Sequence, residues 1–171
     1  MKILLVFLLL PLVSVSQTTV HIDDDEVKYE DSVSVQGLTS AEIIQRAKRI
    51  LPQIVENYKE AAGNSNASYL EFTGEITLNT PFTHIRKAHY TLKLDAANGL
   101  YNYEVDKVFV VEKRRGSTNQ TRTSKEIIKS IEEGGEAMVE AEKLLNELDL
   151  RIQMVLTILK NRIQPALNAK R

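Results

Sequence analysis

Three histidines, an acidic run, a basic run and a doubled glycine are the features of this 171-residue chain that could carry chemistry. His84 and His89 are five apart, so one straight strand puts them on opposite faces, and neither has a carboxylate or histidine at a helical or cross-strand spacing. His21 stands apart from both. A metal centre needs three or four convergent ligands. The chain also has no Cys, which removes thiolate sites, thiol nucleophiles and disulfides together. Asp23-Asp24-Asp25-Glu26 could attract calcium, but it lacks the alternating ligands, central glycine and closing glutamate of a calcium loop. It reads as a solvated, disordered acidic tail. Gly134-Gly135 follows no strand at the right distance, so it is neither a phosphate-cradling loop nor a dinucleotide fingerprint. A catalytic carboxylate pair requires surroundings that split two pKa values, and nothing in the order of residues shows such a pair. No catalytic residue, metal ligand or cofactor is assigned.

One cluster points to binding. Lys113, Arg114, Arg115, Arg122 and Lys125 lie in a stretch, 113–125, that holds no acid and is interleaved with Gly, Ser, Thr and Asn. On a mobile loop they form a candidate site for an anionic partner, such as a phosphate-bearing glycolipid or another protein's acidic face. Charge is unevenly placed along the chain. Residues 17–112 hold nine basic and fifteen acidic residues, net −6, and residues 113–171 hold twelve and eight, net +4. That dipolar layout can steer partners or self-association and is too mild to imply nucleic acid.

The first sixteen residues read as a leader. Lys2 is a short positive segment, Ile3 to Val13 form an apolar run, and Ser14 and Ser16 sit at the −3 and −1 positions of a small-x-small cleavage site. This is the grammar of a signal peptide, which leaves Gln17 as the new N-terminus and implies a periplasmic or secreted protein. The apolar run is about half of the roughly 20 residues that a spanning helix needs. Beyond the acidic segment 17–26 the chain reads as one domain, 27–165, with a tail at 166–171.

Periodicity supplies the elements. Val27, Tyr29, Val33 and Val35 alternate as a strand, with Asp31 spoiling its apolar face. Thr39 with Glu42 fits a capping box, and Ile44, Ala47, Leu51, Ile54 and Tyr58 continue a helical stripe to about Ala62, kinked at Pro52. Three strands come next: one through Leu70, Phe72, Ile76 and Leu78, one through Ala88, Tyr90, Leu92 and Leu94, and one from Leu100 to Glu112. Asn98-Gly99 marks a hairpin between the last two, and the phase slips at Asp106-Lys107, a bulge signal. Gly74 falls in the apolar series, where it relieves crowding or marks a bend. A short helix then breaks at Gly134-Gly135 and a long one runs over 136–164 with heptad spacing. The order is β-α-β-β-β-α-α: an α+β fold whose antiparallel sheet of about four strands has helices on one face. The long helix exceeds the width of such a sheet, so Leu148, Ile152, Val155 and Leu159 are a candidate interface with a partner helix or a second copy. The alternative is that the first helix covers them within one chain.

The helix from Thr39 to Tyr58, the strand Tyr-Leu-Glu-Phe-Thr-Gly-Glu-Ile from Tyr69, and the stretch His-Tyr-Thr-Leu-Lys-Leu-Asp-Ala-Ala-Asn-Gly-Leu-Tyr-Asn-Tyr-Glu-Val from His89 carry a resemblance. The chain resembles a family of small exported Bacteroidota domains of unknown function, assigned a fold like that of the TATA-box-binding protein. The resemblance implies a curved antiparallel sheet with helices across one side. It lends no catalytic residue, and because folds host unrelated functions it is no warrant for DNA binding. In that setting Asp31-Ser32-Val33 fits an O-glycosylation acceptor pattern at Ser32. The functional expectation is a non-catalytic binding or assembly module of the cell envelope. The alternative is a small-molecule carrier or enzyme with a pocket between sheet and helices.

Overall fold

A computed structural model describes residues 20–23, 26–79, 84–114, 116 and 118–164. The expected leader, 1–16, and tail, 166–171, lie outside them. In chain order the elements are β1 (Val20–Asp23), β2 (Glu26–Ser34), α1 (Ser40–Ile54), β3 (Glu56–Glu60), β4 (Tyr69–Leu78), β5 (His84–Ala97), β6 (Leu100–Arg114), β7 (Gln120–Thr123), α2 (Ser124–Glu133) and α3 (Gly135–Ile163). The strands make one antiparallel sheet in the order β1-β2-β6-β5-β4-β3. β2 pairs with residues 100–105 of β6, and β7 pairs with residues 109–112.

The α+β class, antiparallel sheet and long C-terminal helix agree with the sequence, but the strand count does not. Among the described residues seven strands replace about four, because the three extra ones are short and two of them, Glu-Asn-Tyr-Lys-Glu and Gln-Thr-Arg-Thr, carry no apolar alternation. β1 arises within the acidic segment expected to be disordered, pairing from Val20↔Tyr29 to Asp23↔Glu26. β7, Gln-Thr-Arg-Thr, arises in the stretch expected to be a mobile loop. β3 replaces the second half of the expected first helix. Pro52 sits in the last turn of α1 without an N–H for the ladder, and the helix gives out rather than kinking. Val55 is already extended, at φ −113 and ψ 124, and its N–H closes on the Leu51 carbonyl at 2.9 Å. Tyr58 therefore stands on β3, its ring 4.9 Å from that of Phe72. Lys48 Nζ, 2.5 Å from Glu60 Oε1, ties the returning strand to the helix.

Strand alternation delivers the core to one face. Leu70, Phe72, Ile76, Leu78, Ala88, Tyr90, Leu92, Leu94, Tyr101, Tyr103 and Val105 are all buried under the helices. The register then shifts between Thr91↔Asp106 and His89↔Phe109, with Lys107 at φ 51, so that Val108 and Val110 also turn inward. This is the bulge that the phase slip implies. Gly99 takes φ 79 in the two-residue turn between Ala97 and Leu100, a left-handed geometry that a β-carbon resists. A Cβ on Gly74 would lie 2.4 Å from Val55 Cγ1 and 2.9 Å from the Tyr90 hydroxyl. Glycine lets the α1–β3 corner close onto β4.

α3 changes the interface expectation. Its buried residues are Ala141, Leu144, Leu148, Ile152, Leu156, Leu159 and Ile163, a helical stripe seated on the chain's own core rather than a heptad seam. Leu148, Ile152 and Leu159 are at most 1% exposed in the single chain, and Val155 is partly buried. The four residues are core, because α1 lies beside the end of α3. Arg46 Nη1 donates to the carbonyls of Ile163 at 2.9 Å and Gln164 at 3.1 Å, capping the helix. The acid that interrupts β2 is also accounted for: Asp31 Oδ2 accepts from Lys160 Nζ of α3 at 2.9 Å. Among the described residues no helix is long and apolar enough to cross a membrane.

Candidate functional site

The basic residues expected to act together are spread over three elements. Lys113 and Arg114 end β6, paired with Ile85 and His84. Arg122 lies on β7 with Nη2 3.3 Å from Ser130 Oγ, and Lys125 is in the first turn of α2. Arg115 lies outside the described residues. Ser32 is exposed on β2, and its hydroxyl donates to the Asn102 side chain. His84 and His89 do take opposite faces: His84 Nδ1 lies 3.5 Å from Glu112 Oε1 at the helix side, and His89 Nδ1 lies 3.6 Å from Glu75 Oε1 on the other. The described residues contain no group of three or more His, Asp or Glu placed to hold a metal ion.

What the fold does assemble is the sheet face turned away from the helices. Each strand contributes the half of its alternation that points out: Tyr69, Glu71, Thr73 and Glu75 from β4, Lys87, His89, Lys93 and Asp95 from β5, and Asn102, Glu104 and Phe109 from β6. Two open concavities mark this face. The first, about 620 Å³, is lined by Glu30, Asp31, Tyr69, Lys93, Asp95, Asn102, Tyr103 and Glu104. Asp31 is already paired with Lys160 of α3, so three carboxylates, Glu30, Asp95 and Glu104, oppose one ammonium, and that ammonium is already held: Lys93 Nζ is 2.5 Å from Asp106 Oδ2 and 3.2 Å from Glu104 Oε1. The first cleft is acidic and hydrogen-bonding.

The second cleft, about 380 Å³, takes its walls from β3, β4, β5 and the β6 bulge. His89 and Phe109, a cross-strand pair, stack there with centroids 4.7 Å apart and planes 5° from parallel. Glu75 lies beside them, its Oε2 2.7 Å from Lys87 Nζ and 2.6 Å from Asn57 Nδ2. The hydrogen bond from Lys87 chiefly holds the Glu75 carboxyl below the ordinary range. A carboxyl whose folded pKa is depressed adds stability above the unfolded value, about 4.3, and loses it as pH falls through the folded one. The urea midpoint is therefore expected to drop as pH is lowered from about 5 to about 3, and to drop less in Glu75→Gln. Equal slopes in the two proteins would place the acid loss elsewhere.

The buried tyrosines offer no nucleophile. Burial pushes the Tyr58 hydroxyl up to about 12 and raises those of Tyr29, Tyr90 and Tyr101 as well, so all four stay neutral phenols at physiological pH. Sequence reasoning misses the open face because its residues come from five strands, and in each strand they form the polar half that reads as ordinary solvated surface. The one local signal is the phase slip at Asp106-Lys107, which sets the position of Phe109 and Lys107.

No family model matches the chain, and no curated protein does. Solved structures do share its fold. A TBP-like protein from Parabacteroides distasonis superposes with a TM-score of 0.58 at 11% identity, over 84% of this chain and 98% of that one. A DUF4468 family protein from Bacteroides ovatus superposes with a TM-score of 0.57 at 13% identity, over 85% and 94%. The TATA-box-binding-protein-like fold implied by the resemblance is the fold observed.

Proposed function

We propose that the chain is an exported, non-catalytic binding module of the cell envelope that meets its partner through the open face of its sheet. The observation that carries this reading is the division of labour between the two faces. The helix-side face is largely consumed by the core, with Phe72, Leu92, Leu94 and Leu148 fully buried, and the recess of about 470 Å³ that remains between sheet and α3 has its His84, Arg86 and Glu140 already engaged in ion pairs. The open face carries both clefts, each lined by charged and hydrogen-bonding side chains. The C-terminal helix spends Leu148, Ile152 and Leu159 internally and keeps Leu150, Met154 and Ile158 exposed on its outer side; the sheet, which carries the charged clefts, is the surface proposed for binding. The acidic first cleft disfavours a phosphate backbone and suits a protein surface with basic or hydrogen-bonding groups. Export is supported by the tripartite leader in the sequence.

One preparation tests both parts. Protein recovered from the envelope fraction is expected to begin at Gln17. Cross-linking in that fraction should give a complex that Asn102→Arg abolishes and Leu150→Glu, on the exposed side of α3, leaves intact. An intact Met1 would defeat export, and equal cross-linking by Asn102→Arg would defeat the open face as the binding surface.

A further inference from the structure

The second cleft differs from the rest of the open face in its unspent charge. Lys87 and Lys93 are each clamped by carboxylates, Glu75 for one and Glu104 with Asp106 for the other. Lys59 and Lys107, which line the cleft from β3 and from the β6 bulge, pair with no carboxylate among the described residues. Glu75, the one carboxylate lining the cleft, is already engaged by Lys87 and Asn57. The cleft is thus a cationic concavity beside an acidic one.

Its backbone is unusual as well. Among the described residues only two that are not glycine have positive φ, Asn57 at 49° and Lys107 at 51°, and both line this cleft. Left-handed geometry is tolerated by asparagine and costs a lysine more, and such strained residues gather where a site needs a particular side-chain placement. The bulge at Lys107 is also a known device for re-aiming a side chain. The half-buried His89–Phe109 stack also lines the cleft, with only the outward face of a ring left for a ligand, and Thr73 supplies an exposed hydroxyl.

We propose that the cleft formed by Asn57, Lys59, Thr73, His89, Lys107 and Phe109 binds an anionic monosaccharide: a sugar ring bearing a carboxylate or a phosphoryl group. The lysines take the anion, the outward face of one ring of the stack lies against the C–H face of the sugar, and Asn57 and Thr73 meet its hydroxyls. The volume, about 380 Å³, is at the small end of ligand pockets and suits a single ring with its substituent. A longer polyanion would be turned back by Glu30, Asp95 and Glu104 of the neighbouring cleft. The proposal rests on the open face being the binding surface and names what one end of it takes.

The test is a titration of the purified ¹⁵N-labelled protein, followed by amide shifts, with glucuronate, glucose 6-phosphate, glucose and inorganic phosphate. Saturable shifts at Thr73, His89 and Lys107 are expected with one or both anionic sugars, and which of them binds identifies the anion. Glucose and inorganic phosphate should each bind at least about tenfold more weakly, since each lacks half of the recognised groups. The Lys59→Gln/Lys107→Gln protein should lose about tenfold or more in affinity for the anionic sugar, with its thermal unfolding unchanged. Absence of shifts with both anionic sugars, glucose or phosphate binding as tightly as they do, or full affinity in the double variant would overturn the proposal. The cross-linking that Asn102→Arg reads depends on the other cleft, so its survival alongside a failed titration would remove this site alone.

Discussion

Replacing Phe72 by alanine is expected to cost about 3–5 kcal/mol of folding stability, the range for removing a large aromatic side chain from a packed interior. Phe72 is fully buried, at 0% exposure. Its ring touches Tyr58 of β3 at 4.9 Å and meets Tyr90 of β5 edge-on at 6.3 Å, with planes at 75°. The same ring thus joins the edge strand to the middle of the sheet beneath α1, and its loss opens a cavity that neither neighbour can fill without leaving its own strand. Urea unfolding should show a midpoint far below the parent's with little change in slope. A loss under about 1 kcal/mol would mean that the interior collapses around the gap.

A second large effect falls on adjacent residues of β5 for opposite reasons. Leu92→Ala should cost about 2–5 kcal/mol as a buried aliphatic deletion, since Leu92 is 0% exposed. Lys93 points to the open face, where strand phase alone assigns a substitution well under about 1 kcal/mol. The structure raises that figure. Lys93 Nζ is 2.5 Å from Asp106 Oδ2, and Asp106 is 8% exposed with its Oδ1 unpartnered. Lys93→Ala would leave a buried carboxylate without its cation, at a cost of about 1–3 kcal/mol. The Lys93 pKa is raised, chiefly by its hydrogen bond to Asp106. Its contribution is therefore complete below the ordinary lysine value and lost only as pH rises through the raised one, so an experiment at neutral pH reads it in full. Adding Asp106→Asn to Lys93→Ala should return part of the loss. A Lys93→Ala protein as stable as the parent would show that the clamp contributes nothing.

The contrast at Leu92 and Lys93 shows what the order of residues makes legible. Where alternation is strict and one face is apolar, as from Leu70 to Leu78 and from Ala88 to Leu94, phase and burial are readable directly, because a one-residue slip would turn every apolar side chain to water. The same holds for the hairpin at Asn98-Gly99 and the capping box at Thr39 and Glu42. β3 is hidden because Ile54 and Tyr58 happen to continue the helical stripe of α1, and only Pro52 hints that the ladder fails. β7 is hidden because Gln-Thr-Arg-Thr has no apolar alternation and depends on pairing with β6. The capping box at the end of β7, Thr123 with Glu126, obeys the same rule as the first but is masked by the basic stretch around it. In α3 the apolar stripe is wide enough to read as a heptad seam, and only the position of α1 decides that it faces inward. The candidate site is least legible of all. Its charge pattern depends on which lysines find a carboxylate across strands, a question of register and not of order.

β3 also governs what can happen at its side of the sheet. A strand edge normally offers a free ladder of N–H and C=O groups on which another chain can continue the sheet. This one is five residues long, four of them exposed, and three of its side chains are charged. Its pairing with β4 is interrupted between Glu56 and Lys59, with Asn57 left-handed at the break. An incoming strand would find no straight run to match and would have to set its charges against Glu56, Lys59 and Glu60. The boundary is thereby closed to polymerisation, and the sheet stays finite at that side even where the protein is concentrated.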